Sequence, residues 1–315
     1  MRILRDGLCD TPCENAFVTA FNPSHGPRVA SLPFLALLAG GCSIGFAAIL
    51  VRLSETGPVA SAFWRTAIAA PLLWAWAWQS AAKHRAGTGH LPGTALWAAG
   101  LFFAADLGVW HWSIAWTSVA NATLLANLAP IWVTLAGVVF FRQRVSPLFL
   151  VGMTAAIGGM FVLVGPNFAV GGTPLMGDAL GAITALFYAG YMLSIKSARD
   201  SGVSTARLMA WSTTITALAL LPVALLSDQP FMPADARGWA VLVGLALVTQ
   251  VVGQGLIAYA FAHLSAALSS VSLLIQPVTA AVFAWILLGE AIGPAQAIGG
   301  LVVLAGIWMA RRAGG

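Results

Sequence analysis

Charge is what this chain has least of: 8% of its 315 residues are Asp, Glu, Lys or Arg, against roughly a quarter in soluble domains. So few charges cannot cover a water-facing globule. With 59% hydrophobic residues and a mean hydropathy of +0.88, the medium around most side chains must be lipid. A soluble enzyme and a disordered chain are excluded together. Cysteine is scarce as well. Cys9 and Cys13 stand in a polar stretch and Cys42 in an apolar run, which is neither a disulfide framework nor a zinc-ligand spacing. No metal and no cofactor are expected. The net charge of +5 is spread singly and in pairs, without the basic block that neutralises a phosphate backbone, so nucleic acid is excluded as a partner.

What the chain has in abundance is apolar runs near 20 residues, the length that crosses ~30 Å of hydrocarbon. Ten spans are expected, over residues 32–51, 57–78, 93–112, 118–141, 147–164, 177–195, 204–226, 239–261, 265–288 and 293–309. Residues 1–31 carry Arg2, Asp6, Asp10, Glu14 and several prolines, and read as a tail without the apolar core of a cleaved signal peptide. Orientation follows from Lys and Arg. Arg2, Arg5, Arg28, Lys83, Arg85, Arg142, Arg144, Lys196, Arg199, Arg207, Arg311 and Arg312 fall on the side of the N-terminus, and only Arg52 and Arg237 on the other. Both termini are therefore expected in the cytoplasm.

Adding 147 to positions in the first half lands on like residues in the second. Gly108, Ala115, Ser118, Ala120, Pro130, Pro147, Gly152 and Gly159 map onto Gly255, Ala262, Ser265, Ala267, Pro277, Pro294, Gly299 and Gly306. No single offset is expected to relate the first two spans of each half. A repeat of five helices must lie upside down relative to its copy, and inverted halves are how many secondary transporters obtain inward-open and outward-open states.

The stretch from Ala126 to Val164, with Asn127, Pro130, Pro147, Gly152, Gly158 and Gly159, resembles the end of an EamA domain of the drug/metabolite transporter superfamily. Ile275 to Met309, with Pro277, Leu288-Gly289-Glu290, Gly299, Gly300 and Gly306, resembles a second copy, and Phe63-Trp64-Arg65 resembles the arginine position of the first. The glycine-glutamate step kept as Gly289-Glu290 is replaced by Arg142-Gln143 in the first copy. The resemblance implies an all-α inner-membrane transporter with ten transmembrane helices, in two inverted five-helix repeats (residues 32–165 and 177–311) around a central cavity. Its overall flavour is closest to the bacterial aromatic amino acid exporters.

Polar stripes in hydrocarbon report the face turned toward protein or water. Ser265, Ser269, Ser272 and Gln276 fall at helical steps in the ninth span, Asp106, Trp110, Ser113 and Thr117 in the third, Thr184, Tyr188 and Tyr191 in the sixth, and Gln250 and Gln254 one turn apart in the eighth. One reading is a cavity in which amides and hydroxyls hold a zwitterion while Trp110, Tyr188 and Tyr191 contact its side chain. The other is that serines and threonines join packed helices. Arg65 and His111 stand as a gate or proton site, with Asp106 able to pair with Arg65. Pro130 and Pro277 interrupt corresponding helices and are candidate hinges. Apart from Asp178 at a span's edge, the spans hold one Asp, no Glu and no paired histidines, too little for a membrane-embedded enzyme. The expected activity is export of amino acids, aromatic ones included, from the bacterial cytoplasm through the inner membrane. Another small metabolite or a cationic drug is the alternative cargo. The expected partners are the substrate and the lipid bilayer, and the small-residue face of Gly299, Gly300 and Ala305 leaves monomer and homodimer open.

Overall fold

The computed structural model describes residues 31–83, 93–117, 119–165 and 174–313. The tail with Cys9 and Cys13 lies outside them. Among the described residues all regular structure is helical: α1 (Ser31–Leu53), α2 (Pro58–Lys83), α3 (Gly93–Trp116), α4 (Val119–Ala126), α5 (Ala129–Val139), α6 (Pro147–Val164), α7 (Pro174–Asp200), α8 (Thr205–Leu225), α9 (Ala236–Gly244), a π-helical stretch (Leu245–Gly253), α10 (Gln254–Ala260), α11 (Ala266–Ser272), α12 (Ile275–Leu288) and α13 (Pro294–Ala313). Nine segments of the described residues are long and apolar enough to cross a membrane. The tenth is α2, whose 26 residues rise to about 39 Å and whose Arg65 and Trp64, Trp74, Trp76 and Trp78 lower its hydropathy.

Close approaches give the directions of the helices. A Cβ added to Gly152 would sit 2.8 Å from the Gly306 carbonyl oxygen, and one added to Gly159 would sit 2.8 Å from that of Gly299, so α6 and α13 run antiparallel. Gly40 meets Gly253 and Ile257 while Gly244 meets Leu50, which makes α1 antiparallel to the π stretch and α10. Ser113 Oγ donates to the Gly177 carbonyl at 2.7 Å, and Gly190 packs on Phe102, so α3 and α7 are antiparallel too. Gly41 meets Ile275, Gly45 meets Thr279 and Phe46 meets Phe283, so α1 and α12 are parallel. All four directions are those of a chain that reverses at every crossing.

The packing also exchanges between halves. α3 lies on α7 as α10 and the π stretch lie on α1; α3 lies on α8 as the π stretch lies on α2; α4 and α5 lie on α7 as α11 and α12 lie on α1. The offset of 147 reaches further than the expected stretch. α1 ends at Leu53 and α7 at Asp200, α2 begins at Pro58 and α8 at Thr205. Along α2 and α8, Trp64, Thr66, Ile68 and Ala70 correspond to Trp211, Thr213, Ile215 and Ala217. This corrects the expectation of no common offset there. Matches at alternate positions between substituted neighbours make a faint signal until helix ends anchor it.

The spans that hold Pro130 and Pro277 are split, whereas α2 runs unbroken through Pro71. α4 gives way to α5 at Asn127 and Leu128, and α11 to α12 at Leu273 and Leu274. Pro130 and Pro277 have no N–H to donate, and the turns ahead of them tighten to three-residue bonds: Leu128 N to Leu125 O and Leu274 N to Val271 O, both 3.1 Å. Trp74 and Trp239 are half-buried against neighbouring elements. Trp74 Nε1 donates to Thr214 Oγ1 at 3.0 Å, and Trp239 lies edge-on to Trp64 with ring centroids 5.0 Å apart.

Candidate functional site

The polar side chains that the sequence placed in four separate spans meet where the halves join. Arg65 of α2 is buried and donates from Nε to Gln250 Oε1 at 3.0 Å. Gln250, in the π stretch, is held on its other side by donating to Thr213 Oγ1 of α8 at 2.9 Å. One turn on, Gln254 Oε1 accepts from the Tyr191 hydroxyl at 3.0 Å. Gln276 of α12 donates to the Tyr188 hydroxyl at 3.2 Å. Residues four apart in a regular helix share a face. Here the Gln254 N–H reaches back five residues to the Thr249 carbonyl, and the widened turn lets Gln250 address α2 and α8 while Gln254 addresses α7. Such bulges recur at functional sites.

The apolar wall comes from rings. Phe103 stacks on Tyr191 at 4.5 Å between centroids and 18° between planes, and Tyr191 stacks on Tyr188 at 6.3 Å. The Arg65 guanidinium carbon lies 5.7 Å from the Phe103 ring centre, within cation–π range. Phe103 and Gln250 are themselves 147 residues apart, so corresponding positions of the two halves both touch Arg65. The wall is one-sided. Tyr188 of α7 corresponds to Gly41 of α1, where an added Cβ would come within 2.6 Å of Ile275. Packing on α1 is therefore closed tightly, and the large rings all lie toward α7.

Other expected site residues stand elsewhere or act locally. Asp106 is half-buried on α3 and close enough to Arg65 to act on it electrostatically, yet among the described residues no ion pair joins them. Trp110 is half-buried one turn on. Ser113 and Thr117 of the same stripe bond the start of α7, Thr117 Oγ1 to Asp178 Oδ1 at 2.7 Å. Ser265 is exposed and caps α11 by accepting from Leu268 N, so it stands apart from the cluster. Ser272 Oγ and Thr184 Oγ1 bond carbonyls of their own helices. Ser269 Oγ is buried with no partner. The stripe in the ninth span is interrupted, because the break after Ser272 resets the phase before Gln276. The His111 side chain lies outside the described residues. Thr213 and Phe103 were not anticipated. Thr213 sits in a run of hydroxyl residues (Ser212, Thr213, Thr214, Thr216) where none stands out, and the signal that finds it is its correspondence to Thr66.

One end of the bundle is tied across the halves. Arg52 pairs with Glu290 at 2.5 Å, Gly57 N donates to the Pro230 carbonyl at 2.9 Å, and Trp64 Nε1 donates to the Phe231 carbonyl at 2.8 Å. Phe63 stacks on Phe231 at 5.5 Å. The ion pair is exposed and contributes at most about 1 kcal/mol, so the aromatic cluster is the firmer part of this closure.

Residues 31–165 and 175–312 each match the model of the EamA-like transporter family. The chain belongs to that family. An EamA-like protein of this architecture is a multi-pass membrane transporter. It is 27% identical over 282 residues to a pseudopaline exporter of Pseudomonas aeruginosa, covering 88% of this chain and 95% of that one. It is 30% identical over 205 residues to a probable terminal-alkyne amino-acid exporter of Streptantibioticus cattleyicolor, covering 64% and 67%. A solved crystal structure superposes with a TM-score of 0.74 at 18% identity, over 88% of this chain and 96% of its own, a likeness of fold alone.

Proposed function

We propose that this EamA-like protein exports amino acids, aromatic ones among them, by alternating access between two inverted five-helix halves. The observation that carries the reading is the meeting, at the junction of the halves, of a buried guanidinium, three amides and the rings of Phe103, Tyr188 and Tyr191. Amides and charge suit the polar end of an amino acid, and the rings suit an aromatic side chain. The names of two relatives as exporters support the direction of transport. The split spans at Pro130 and Pro277 supply the hinges. The Lys and Arg distribution supports a bacterial inner membrane with both termini cytoplasmic. In that orientation the end tied by Arg52, Glu290 and Phe231 faces away from the cytoplasm, and the described conformation is closed on that side.

The test is counterflow. Proteoliposomes loaded with unlabelled phenylalanine are expected to accumulate labelled phenylalanine beyond protein-free vesicles, and other unlabelled amino acids to compete. No excess over empty vesicles from folded protein would sink the aromatic assignment. Gln254→Ala leaves the buried Tyr191 hydroxyl without its acceptor, which costs about 1–3 kcal/mol. That variant is expected to carry phenylalanine at least about tenfold more slowly at limiting substrate, read in the same assay; an unchanged rate and affinity would remove Gln254 from the site.

A further inference from the structure

Arg65 is 8% exposed in the interior of a membrane-spanning bundle. Its Nε is matched by Gln250 and its face by Phe103, but its Nη2 is buried with no hydrogen-bond partner. A structural arginine ordinarily closes its hydrogen bonds within the protein, since an unmatched buried cation is costly. Among the described residues the other buried side-chain N and O atoms without partners, apart from Ser269 Oγ, are Arg199 Nε and Asp200 Oδ2. These belong to a charged group at the end of α7 in which Lys196 pairs with Asp200 at 2.7 Å and Arg199 donates to the Val203 carbonyl. Among the described residues no carboxylate is ion-paired with Arg65; Asp106 acts on it only across a distance. Gln250, pinned by Thr213, holds the guanidinium by Nε, and the Nη2 donor stays unmatched.

We propose that Arg65 Nη2 is the docking point for a carboxylate of the transported molecule and that Asp106 receives its ammonium group. The site then selects zwitterions over plain amines and carboxyl amides. The assignment rests on the export reading above. The guanidinium presents planar donors that match a carboxylate. Asp106 lies one turn from Phe103 on α3, within electrostatic reach of Arg65 but not paired with it. The two charges are thus arranged with the polarity of an amino acid, and the ligand completes the pair that the protein leaves open.

Binding to the purified full chain in detergent separates this assignment from transport. The probes are phenylalanine, phenylalaninamide, phenethylamine and 3-phenylpropionate, read by ligand-dependent thermal stabilisation. Wild type is expected to bind phenylalanine at least about tenfold more tightly than the amide or the amine, the size of one charge-assisted hydrogen bond. Arg65→Gln is expected to erase that preference. Arg65→Lys, which keeps the charge without the planar fork, should retain the preference with weaker affinity. Asp106→Asn should weaken phenylalanine while leaving 3-phenylpropionate unchanged or tighter. Equal affinity for acid and amide in wild type, binding of none of the four probes, or an intact preference in Arg65→Gln overturns the proposal. Carboxylate-dependent binding without phenylalanine flux in liposomes would sustain the docking assignment and bring down the export reading. Phenylalanine flux with equal acid and amide affinity would do the reverse.

Discussion

Gly306→Val is expected to prevent assembly of the bundle. A Cβ at this position would lie 2.5 Å from Ala156 N, 2.6 Å from the Gly152 carbonyl oxygen and 2.8 Å from Ala156 Cα. All three are backbone atoms of α6, so no side-chain rotation relieves the clash and the two helices must part. The same contact occurs in mirror fashion at Gly152, Gly159 and Gly299. Four glycines, seven residues apart on each helix, thus hold an antiparallel seam along which backbone meets backbone, the close approach that small residues permit in membranes. Overpacking such a seam costs about 3 kcal/mol, the upper end of the usual range, because separating the helices at one glycine loosens the contact at the next. The expected result is loss of most monodisperse protein in size-exclusion chromatography and a markedly lower melting temperature in the remainder. Gly158→Val is the control: on the same helix, an added Cβ there meets nothing within 4 Å, and wild-type behaviour is expected. Equal behaviour of the two variants would contradict the seam.

Gln250→Leu is expected to remove both stability and transport, for a reason a double variant can isolate. Gln250 is 1% exposed and is the acceptor for Arg65 Nε. Leucine fills comparable volume but leaves a second guanidinium donor unmatched, at a cost of about 3 kcal/mol for a buried charged group. Removing the charge as well, in Arg65→Leu with Gln250→Leu, replaces both partners by apolar groups, which is often nearly neutral. Thermal unfolding is therefore expected to show the single variant well below wild type and the double variant close to it, a non-additivity of several kelvin or more. Counterflow is expected to be absent from both. A double variant as unstable as the sum of its parts would mean that the two side chains do not act as a unit.

The architecture was legible because its causes are local: chain length in hydrocarbon fixes the spans, and a backbone nitrogen without hydrogen fixes the interruptions at Pro130 and Pro277. The cluster was legible in part. Gln250, Gln254, Gln276, Tyr188 and Tyr191 stood out because amides and phenols in lipid must face something polar. The surroundings of Arg65 were not legible, since a lone charge carries no sign of its neighbours; Phe103 and Gln250 come to it from elements some forty and two hundred residues distant. The Ser265 stripe misled for a different reason. A helical wheel assumes unbroken phase, and neither the split after Ser272 nor the five-residue turn ahead of Gln254 is written in hydrophobic periodicity. Thr213 was hidden among neighbours of its own kind until helix ends extended the offset of 147 to α2 and α8.

Access to the cluster from both faces of the membrane is the most direct test of the account. With Cys9, Cys13 and Cys42 replaced by serine, Gln276→Cys puts a thiol within the cluster, where the Gln276 amide donates to the Tyr188 hydroxyl. Right-side-out and inside-out vesicles are treated with a membrane-impermeant maleimide, with and without saturating phenylalanine. Labelling is expected from each face in turn, slowed several-fold by phenylalanine on both. Labelling from one face alone, or at a rate that phenylalanine does not change, would contradict it.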